Sequence, residues 1–220
     1  EPGTPFFDRV KRGYSVLPAA GHAADLLQSQ WKHLEERGFI HYEVSNFARD
    51  EQRRSLHNLR YWRLEPYLGI GPAAVSTLPG KEGPLRLSFR ADVERYCNGN
   101  GTDRIHAEHI SPYSFLLEHL MTGLRTHEGV QRRRIKRRFG SQVAGKLFHS
   151  LDKKIRQYEK SGFIERIQAN NTHRLLRRGA SQARGFRATD RGLMILDTLL
   201  LDLSGEVDRL SPETVSWPRA

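Results

Sequence analysis

The chain has a single cysteine, Cys97, among its 220 residues, and this excludes several ways of holding a fold together. One cysteine cannot form an internal disulfide. It also cannot supply the ligands of a four-cysteine zinc site or of an iron–sulfur cluster. An apolar core must therefore stabilise the chain, whose length suits one or two domains.

The most apolar segment does not indicate a membrane protein. The longest apolar run, residues 193–203, contains Asp197 and Asp202, which argues against a membrane-spanning helix. No basic and then apolar leader opens the sequence, as a secretory signal would. We therefore expect a cytosolic protein that does not insert into a membrane.

Positive charge is concentrated in one part of the sequence. Residues 125–187 hold 18 Lys and Arg against 4 Asp and Glu, a net charge of +14, whereas the whole chain carries +11. Such a basic block predicts an anionic partner, such as a phosphate backbone, an acidic protein or a carboxylate-bearing ligand. A solvated basic face without a ligand is the simpler interpretation.

Helix and strand patterns alternate in the first hundred residues. Residues 22–37 carry apolar side chains at helical spacing before a glycine, so we predict an amphipathic helix. The short apolar segments 39–44 and 68–75 predict strands. A helix followed by a strand indicates the end of an α/β unit, and the Asn-Gly steps at 98–101 predict a domain boundary near 98–110.

The second half predicts a mostly helical layer. Ser111 before Pro112 is typical of a helix start. Residues 142–160 carry apolar side chains at three- and four-residue intervals, which predicts a long helix. The segments 163–167 and 173–176, separated by polar residues, predict a hairpin or wing.

This order of elements raises a nucleic-acid-binding alternative. Thr189 is expected to cap a last helix that runs through Leu203. Two helices, a hairpin and a helix with a basic middle form the outline of a winged-helix domain, which would contact nucleic acid through Arg132 to Arg138. The basic residues fall on several faces, so the signal has low specificity.

The residues around His57 are the strongest candidates for chemistry. Signatures of nucleoside triphosphatases, zinc proteases and serine hydrolases are absent from the sequence. At residues 56–62 an imidazole is surrounded by an amide, a cation and two aromatic rings. Histidine is a common axial haem ligand, rings can cover a macrocycle and arginine can pair with a propionate. A histidine satisfied by hydrogen bonds is the default alternative.

Three motifs occur in order along the chain: Tyr-Glu-Val-Ser-Asn-Phe-Ala at 42–48, His-Asn-Leu-Arg-Tyr-Trp at 57–62 and Tyr-Leu-Gly-Ile-Gly-Pro at 67–72. Together they resemble the oxygen-independent coproporphyrinogen III oxidase-like radical-SAM proteins. The His-Asn-x-x-Tyr part is similar to the signature of the family's haem chaperone branch, whose histidine is implicated in holding haem. Segments at 1–5 and 189–193 are similar too, so the resemblance covers almost the whole chain.

The resemblance implies a fold and a set of cofactors. The family's catalytic half carries a Cys-x-x-x-Cys-x-x-Cys loop, which binds the [4Fe–4S] cluster that cleaves S-adenosylmethionine. One cysteine cannot make that loop, so radical chemistry by this chain alone is not expected. The expected fold is α/β plus α+β. Residues 1–105 would be the remnant of a partial radical-SAM (β/α) barrel, and residues 106–220 a mostly helical, winged-helix-like C-terminal domain.

The resemblance also implies a haem site. His57 would be the axial ligand of the haem iron, Arg60 and Tyr61 would shape or charge the pocket, and Asn58 would fix the imidazole orientation. The expected function is that of a haem chaperone-like protein which binds haem or porphyrin through this motif.

A glycine-rich strand supplies the remaining cofactor-binding candidates, Gly69 and Gly71, where backbone can approach a ligand. Relatives usually have Gly-Ile-Gly-Pro-Gly-Ala-His-Ser, but here Ala73 and Val75 replace a glycine and a histidine. If that glycine needs a positive φ, Ala73 argues against cofactor contact at this strand. Residues 50–55 also depart from the family's pattern, which predicts a reshaped loop before the histidine motif.

Two alternatives to a haem chaperone-like function stay open, one an enzyme fragment that binds a porphyrin and the other a nucleic-acid-binding module. The enzyme alternative is a fragment of an oxygen-independent coproporphyrinogen III oxidase of porphyrin biosynthesis, in which His57 and basic residues would bind substrate propionates. The other is the nucleic-acid-binding module, which is less expected. Further expected partners are a haem-accepting protein and the N-terminal radical-SAM half. Because an opened barrel exposes strand edges and apolar surface, a homodimer is also expected.

Overall fold

The computed structural model describes residues 2–98, 105–168, 183–210 and 214–218, and it contains both helices and antiparallel strands. Among these residues no helix has the length and apolar character needed to cross a membrane. The helices are α1 (Pro5–Lys11), α2 (Ala20–Glu36), α3 (Leu56–Trp62), α4 (Val93–Asn98), α5 (Pro112–Gly123), α6 (Arg132–Lys160), α7 (Asp190–Leu193) and α8 (Leu196–Asp208). The strands are β1 (Ile40–Glu43), β2 (Asn46–Ala48), β3 (Val75–Leu78), β4 (Leu85–Phe89), β5 (Ile105–His109), β6 (Val130–Gln131), β7 (Ile164–Ile167) and β8 (Gly185–Ala188).

The helix and strand predicted for residues 22–44 are confirmed as α2 and β1. β1 forms an antiparallel hairpin with β2, in which His41 lies opposite Phe47. The carboxylate of Glu43 is buried in the hairpin turn, where it accepts hydrogen bonds from the backbone N–H of Ser45 at 3.1 Å and from the side chain of Asn46. The Glu-Val-Ser-Asn part of the first motif therefore builds this turn.

The strand predicted for residues 68–75 is wrong. Residues 68–74 are irregular, and the strand is β3, which begins at Val75. The chain doubles back here, because Tyr67 and Thr77 form an antiparallel bridge. Pro72 has no N–H to donate to a sheet, so the segment forms a closed loop and not a ladder. β3, β4 and β5 then form a three-stranded antiparallel sheet in that order.

The first two helices of the second half, α5 and α6, follow the sequence prediction. Ser111 caps α5, because its hydroxyl accepts a hydrogen bond from Ser114 N at 3.0 Å, and Pro112 occupies the first turn. α6 includes the long predicted helix and the short basic segment before it. Gly140 interrupts α6 with φ +84° and ψ 172°, so the basic segment and the longer part are two helices joined at a kink.

The last sheet differs from the predicted hairpin. The segment predicted at 163–167 is confirmed as β7, but its partner is β8, in the order β6-β8-β7. The segment 173–176 lies outside the described residues. Thr189 caps a helix as predicted, through a 3.1 Å hydrogen bond from Gly192 N. That helix is the short α7, which ends at Leu193, and a second helix, α8, begins at Leu196. The predicted single helix is therefore wrong.

The main core lies between α5, α6 and α8. Leu124, Leu151 and Leu203 are fully buried there, and the cluster extends to Trp31 of α2. A second, smaller cluster joins Tyr42, Ala48 and Leu59 and so packs α3 against the β1–β2 hairpin. Residues 99–104 are outside the described residues, and the division at 105/106 stays a prediction.

Candidate functional site at α3

The short helix α3 carries four of the predicted site residues. Ser55 caps it, because the Ser55 hydroxyl accepts a 3.3 Å hydrogen bond from Asn58 N. The backbone N–H of Ser55 donates in turn to the hydroxyl of Tyr42 at 3.2 Å, which ties the helix start to β1. Leu59 is buried under the helix, so the opposite face is turned outward.

Three aromatic side chains stand in a row, two on that outer face and one, Tyr67, from the segment after α3. His57 is exposed, and its ring packs edge-on against Tyr61, with centroids 4.7 Å apart at 89°. Tyr61 packs edge-on against Tyr67 at 4.6 Å and 83°. His57 and Tyr61 meet because residues four positions apart lie on the same face of a helix. We call the rings of His57, Tyr61 and Tyr67 the aromatic row.

The structure places Arg60 and Asn58 differently with respect to the aromatic row. Arg60 lies three residues after His57, hence on the same side of α3, and it is exposed. No ion pair holds it within the described parts of the chain. Asn58 is half-buried, and among the described residues no hydrogen bond joins its side chain to His57. The contact that orients the imidazole is therefore the ring of Tyr61.

Gly69 and Gly71 have structural reasons to be glycine. The N–H of Gly69 donates to the Ser76 hydroxyl at 3.0 Å, and a Cβ on Gly69 would lie 2.2 Å from the carbonyl oxygen of Val75. Gly71 has φ +122°, which favours glycine. Ala73 has φ +60°, a left-handed conformation that favours glycine, although the residue here is alanine.

The loop closed by these glycines presents apolar side chains beside the aromatic row. Leu68 and Ile70 flank Gly69, next to Tyr67, and are 68% and 81% exposed. Leu56, which precedes His57, is also largely exposed. Such exposed apolar side chains, next in sequence to Tyr67 and His57, indicate a binding surface and not a core.

A cavity of about 300 Å³ opens beneath Tyr61 and Tyr67, and sequence reasoning missed it. Arg86 of β4 and Glu118 of α5 line the cavity. The guanidinium of Arg86 donates two hydrogen bonds to the carboxylate of Glu118, with N–O distances of 2.8 and 2.9 Å. The hydrogen bonds from Arg86 to Glu118 raise the pKa of Arg86 above its ordinary value. Arg125 also lines the cavity. No short motif links these residues, because Arg86 and Glu118 lie 32 residues apart in the sequence and meet only in the fold.

The basic segment of α6 lies around a separate cavity of about 470 Å³, lined by Arg63, Glu65 and three arginines of α6. Burial alone would raise the pKa of Glu128, but hydrogen bonds from Arg63 and Arg134 lower it to about 2. Glu128 thus neutralises part of the positive charge near α6 within the protein. This agrees with the simpler interpretation, in which the basic residues form a solvated face without a ligand.

The single cysteine, Cys97, is exposed at the end of α4 and belongs to none of these sites. No second or third cysteine exists in the sequence to join it. The residues of this chain therefore do not fit the ligand set of a [4Fe–4S] cluster held by three cysteines.

The known proteins that this chain is similar to carry radical-SAM, HemW or HemN names. No family model matches the chain. Over 210 residues it is 31% identical to "Radical S-adenosyl methionine domain-containing protein 1, mitochondrial" of Danio rerio, which covers 91% of this chain and 43% of the relative. Over 133 residues it is 36% identical to "Heme chaperone HemW" of Synechocystis, which covers 59% of this chain and 32% of the relative.

A second HemW and a solved structure extend the comparison. HemW of Bacillus subtilis is 29% identical over 159 residues, covering 70% of this chain and 40% of the relative. The structure of coproporphyrinogen III oxidase (HemN) from Escherichia coli superposes with a TM-score of 0.54 at 15% identity, over 85% of this chain and 42% of that one. This likeness supports a partial radical-SAM-like fold. The chain spans less than half the length of these relatives.

Proposed function

This chain belongs to the radical-SAM family of the HemW and HemN proteins, and we propose that it contains the haem-binding surface of a haem chaperone-like protein, centred on His57. Haem is the cargo in this proposal. The observation that carries it is the outward face of α3, which presents an imidazole, a guanidinium and a phenol ring together.

The aromatic row supplies the chemistry that a haem needs. A neutral imidazole nitrogen is a common axial ligand of haem iron, and the His57 ring is exposed and held edge-on by Tyr61. Tyr61, Tyr67 and the exposed Leu68 and Ile70 offer aromatic and apolar surface to a macrocycle. Haem would thus contact an existing surface with little rearrangement of α3.

Arginines near the aromatic row suit the propionates of haem. Arg60 is exposed, free of ion pairs among the described residues and on the same face as His57. A guanidinium binds a carboxylate through two parallel hydrogen bonds. Arg125, at the cavity beneath Tyr61, is a second cation available to the same ligand.

The alternatives are less well supported. The coproporphyrinogen III oxidase alternative needs cluster chemistry whose cysteine ligands this chain lacks, so we derive no catalytic step for it. The winged-helix nucleic-acid module is not favoured, because the relatives bear radical-SAM and haem chaperone names. S-adenosylmethionine and the [4Fe–4S] cluster would belong to a partner or a further segment carrying the radical-SAM half.

The partners and the location stay proposals. The relative from Danio rerio is named a mitochondrial protein, so a cytosolic location is a prediction that needs its own test. Exposed apolar side chains of α1, of α2 and of the segment between them, among them Phe6, Leu27 and Leu17, supply surface for the radical-SAM half or for a second copy. A haem-accepting protein would have to reach the aromatic row.

A hemin titration of the purified chain, followed by absorption spectroscopy, tests the proposal. We expect a Soret shift that saturates near one equivalent and is lost in His57→Ala. His33→Ala is the matched control, because His33 is also an exposed histidine on a helix, α2, which contributes no residue to the aromatic row. A shift that does not saturate, or that is equal in wild type and His57→Ala, would exclude His57 as the ligand.

A further inference from the structure

His41 of β1 is a buried histidine without a hydrogen-bond partner. Its side chain has 0% exposure, and neither ring nitrogen makes a hydrogen bond within the described residues. Phe47 stacks on the ring at 4.3 Å and 7°, and Trp31 packs against it at 4.7 Å. Buried polar atoms in folded proteins are nearly always paired, so two orphaned nitrogens on one ring need an explanation.

The side chains of His127 and Asp190 converge on this ring. Nδ1 of His41 lies 3.5 Å from Oδ1 of Asp190, and Nε2 of His127 lies 3.8 Å from the same oxygen. One ligand atom from each of the three residues falls within 4.8 Å of the others. Ligands of a tetrahedral zinc ion lie about 3.4 Å apart. Since the ligand atoms here lie within 4.8 Å of one another, a closure of at most about 1.4 Å would complete three corners of such a site.

The backbone around the cluster is already fixed. The N–H of His127 donates to the carbonyl of Tyr42 at 3.1 Å, and the N–H of Val44 donates to the carbonyl of Arg125 at 2.8 Å. These two hydrogen bonds hold the turn after α5 against β1. Asp190 is the first residue of α7, directly after the capping threonine. Because the backbone that carries the three side chains is already held in place, binding an ion would cost little additional conformational entropy.

We propose that His41, His127 and Asp190 bind one divalent transition-metal ion of the zinc type. Two imidazoles and a carboxylate suit zinc and its neighbours, whereas Mg²⁺ and Ca²⁺ prefer oxygen ligands alone. The Asp190 side chain is 47% exposed and that of His127 30%, so solvent reaches the outer side and water can take the fourth position. The ion would join β1, the turn after α5 and α7.

This site is separate from the proposed haem surface. None of its three residues belongs to the aromatic row or lines the cavity beneath Tyr61. None of the motifs in the sequence pointed to it, because the three ligands are widely separated along the chain and meet only in the fold. Its failure and the failure of haem binding by His57 are therefore distinguishable.

Cobalt binding tests the proposal directly. The chain, without a polyhistidine tag and freed of metal with a chelator, is titrated with Co²⁺ alone, and its visible absorption is recorded. We expect a band that saturates at one equivalent and disappears when Zn²⁺ is added, since zinc favours tetrahedral sites. A titration that does not saturate overturns the proposal.

Variants identify the ligands. His127→Gln and Asp190→Asn change partly exposed residues, so folded protein is expected, and each should weaken Co²⁺ binding by about tenfold or more. His41→Gln is informative if circular dichroism shows it folded. His57→Ala and His33→Gln should bind Co²⁺ as wild type does. Unchanged affinity in both His127→Gln and Asp190→Asn, or loss of binding in His57→Ala, would overturn the assignment.

Discussion

Acid should weaken the fold through His119 of α5. This side chain is 7% exposed and lies between the rings of Phe115 and Phe139, with centroids 4.9 and 5.8 Å away. Burial first, and then the positive charges of the nearby α6 arginines, chiefly Arg138, lower the pKa of His119 from 6.5 to about 3. The folded protein thus disfavours the protonated imidazole.

The size of the effect follows from the two pKa values. In the unfolded chain His119 takes up a proton near its ordinary pKa of 6.5, whereas in the folded chain it stays neutral down to about 3. The unfolded state therefore binds more protons in this interval, and the stability present above pH 6.5 is lost as the pH falls. From about pH 7.5 to about pH 5 this single group lowers the free energy of unfolding by about 2 kcal/mol.

Urea unfolding, followed by tryptophan fluorescence at both pH values, measures this loss. His119→Leu removes the titrating group, so wild type should lose about 2 kcal/mol more than this variant over the interval. His149→Gln is the control, because His149 is exposed on α6, and it should follow wild type. An equal loss in wild type and His119→Leu would refute the reasoning that His119 is held neutral by burial.

Two further predictions concern stability. Ala73 has φ +60°, so Ala73→Gly should raise the free energy of unfolding by about 0.5 to 1 kcal/mol, the strain relieved less the added freedom of the unfolded chain. Ala74→Gly, whose φ is not positive, should not stabilise, and a thermal melt that shows otherwise would contradict this. Leu151→Ala should cost about 2 to 5 kcal/mol because Leu151 is fully buried. In the same urea assay Leu201→Ala, at a 76% exposed position, should stay within about 0.5 kcal/mol of wild type.

Local signals predicted some of the regular elements and not others. The cap at Ser111 and the apolar spacing of α6 are properties of neighbouring residues, so α5 and most of α6 could be placed from the sequence. The irregular loop at 68–74 could not, because its shape depends on the Tyr67–Thr77 bridge and on the hydrogen bond from Gly69 to Ser76.

The candidate site divides in the same way. His57 and Tyr61 could be paired from their four-residue spacing on a helix, and the structure brings their rings together. The partner strand of β7 was missed because β8 begins only at Gly185, well after the predicted segment 173–176, and its pairing with β7 depends on the fold and not on a local turn signal. Likewise, the contact between His41 and Asp190 depends on packing alone, and no sequence motif could have shown it.

The most direct test of haem binding at α3 is paramagnetic broadening in a backbone amide NMR spectrum. Ferric hemin, added below one equivalent, should first weaken the resonances of α3 (Leu56–Trp62) and of Tyr67. Diamagnetic zinc protoporphyrin should shift the same resonances without broadening them. Broadening centred on the basic segment of α6, or spread evenly over the chain, would contradict a haem surface built around His57.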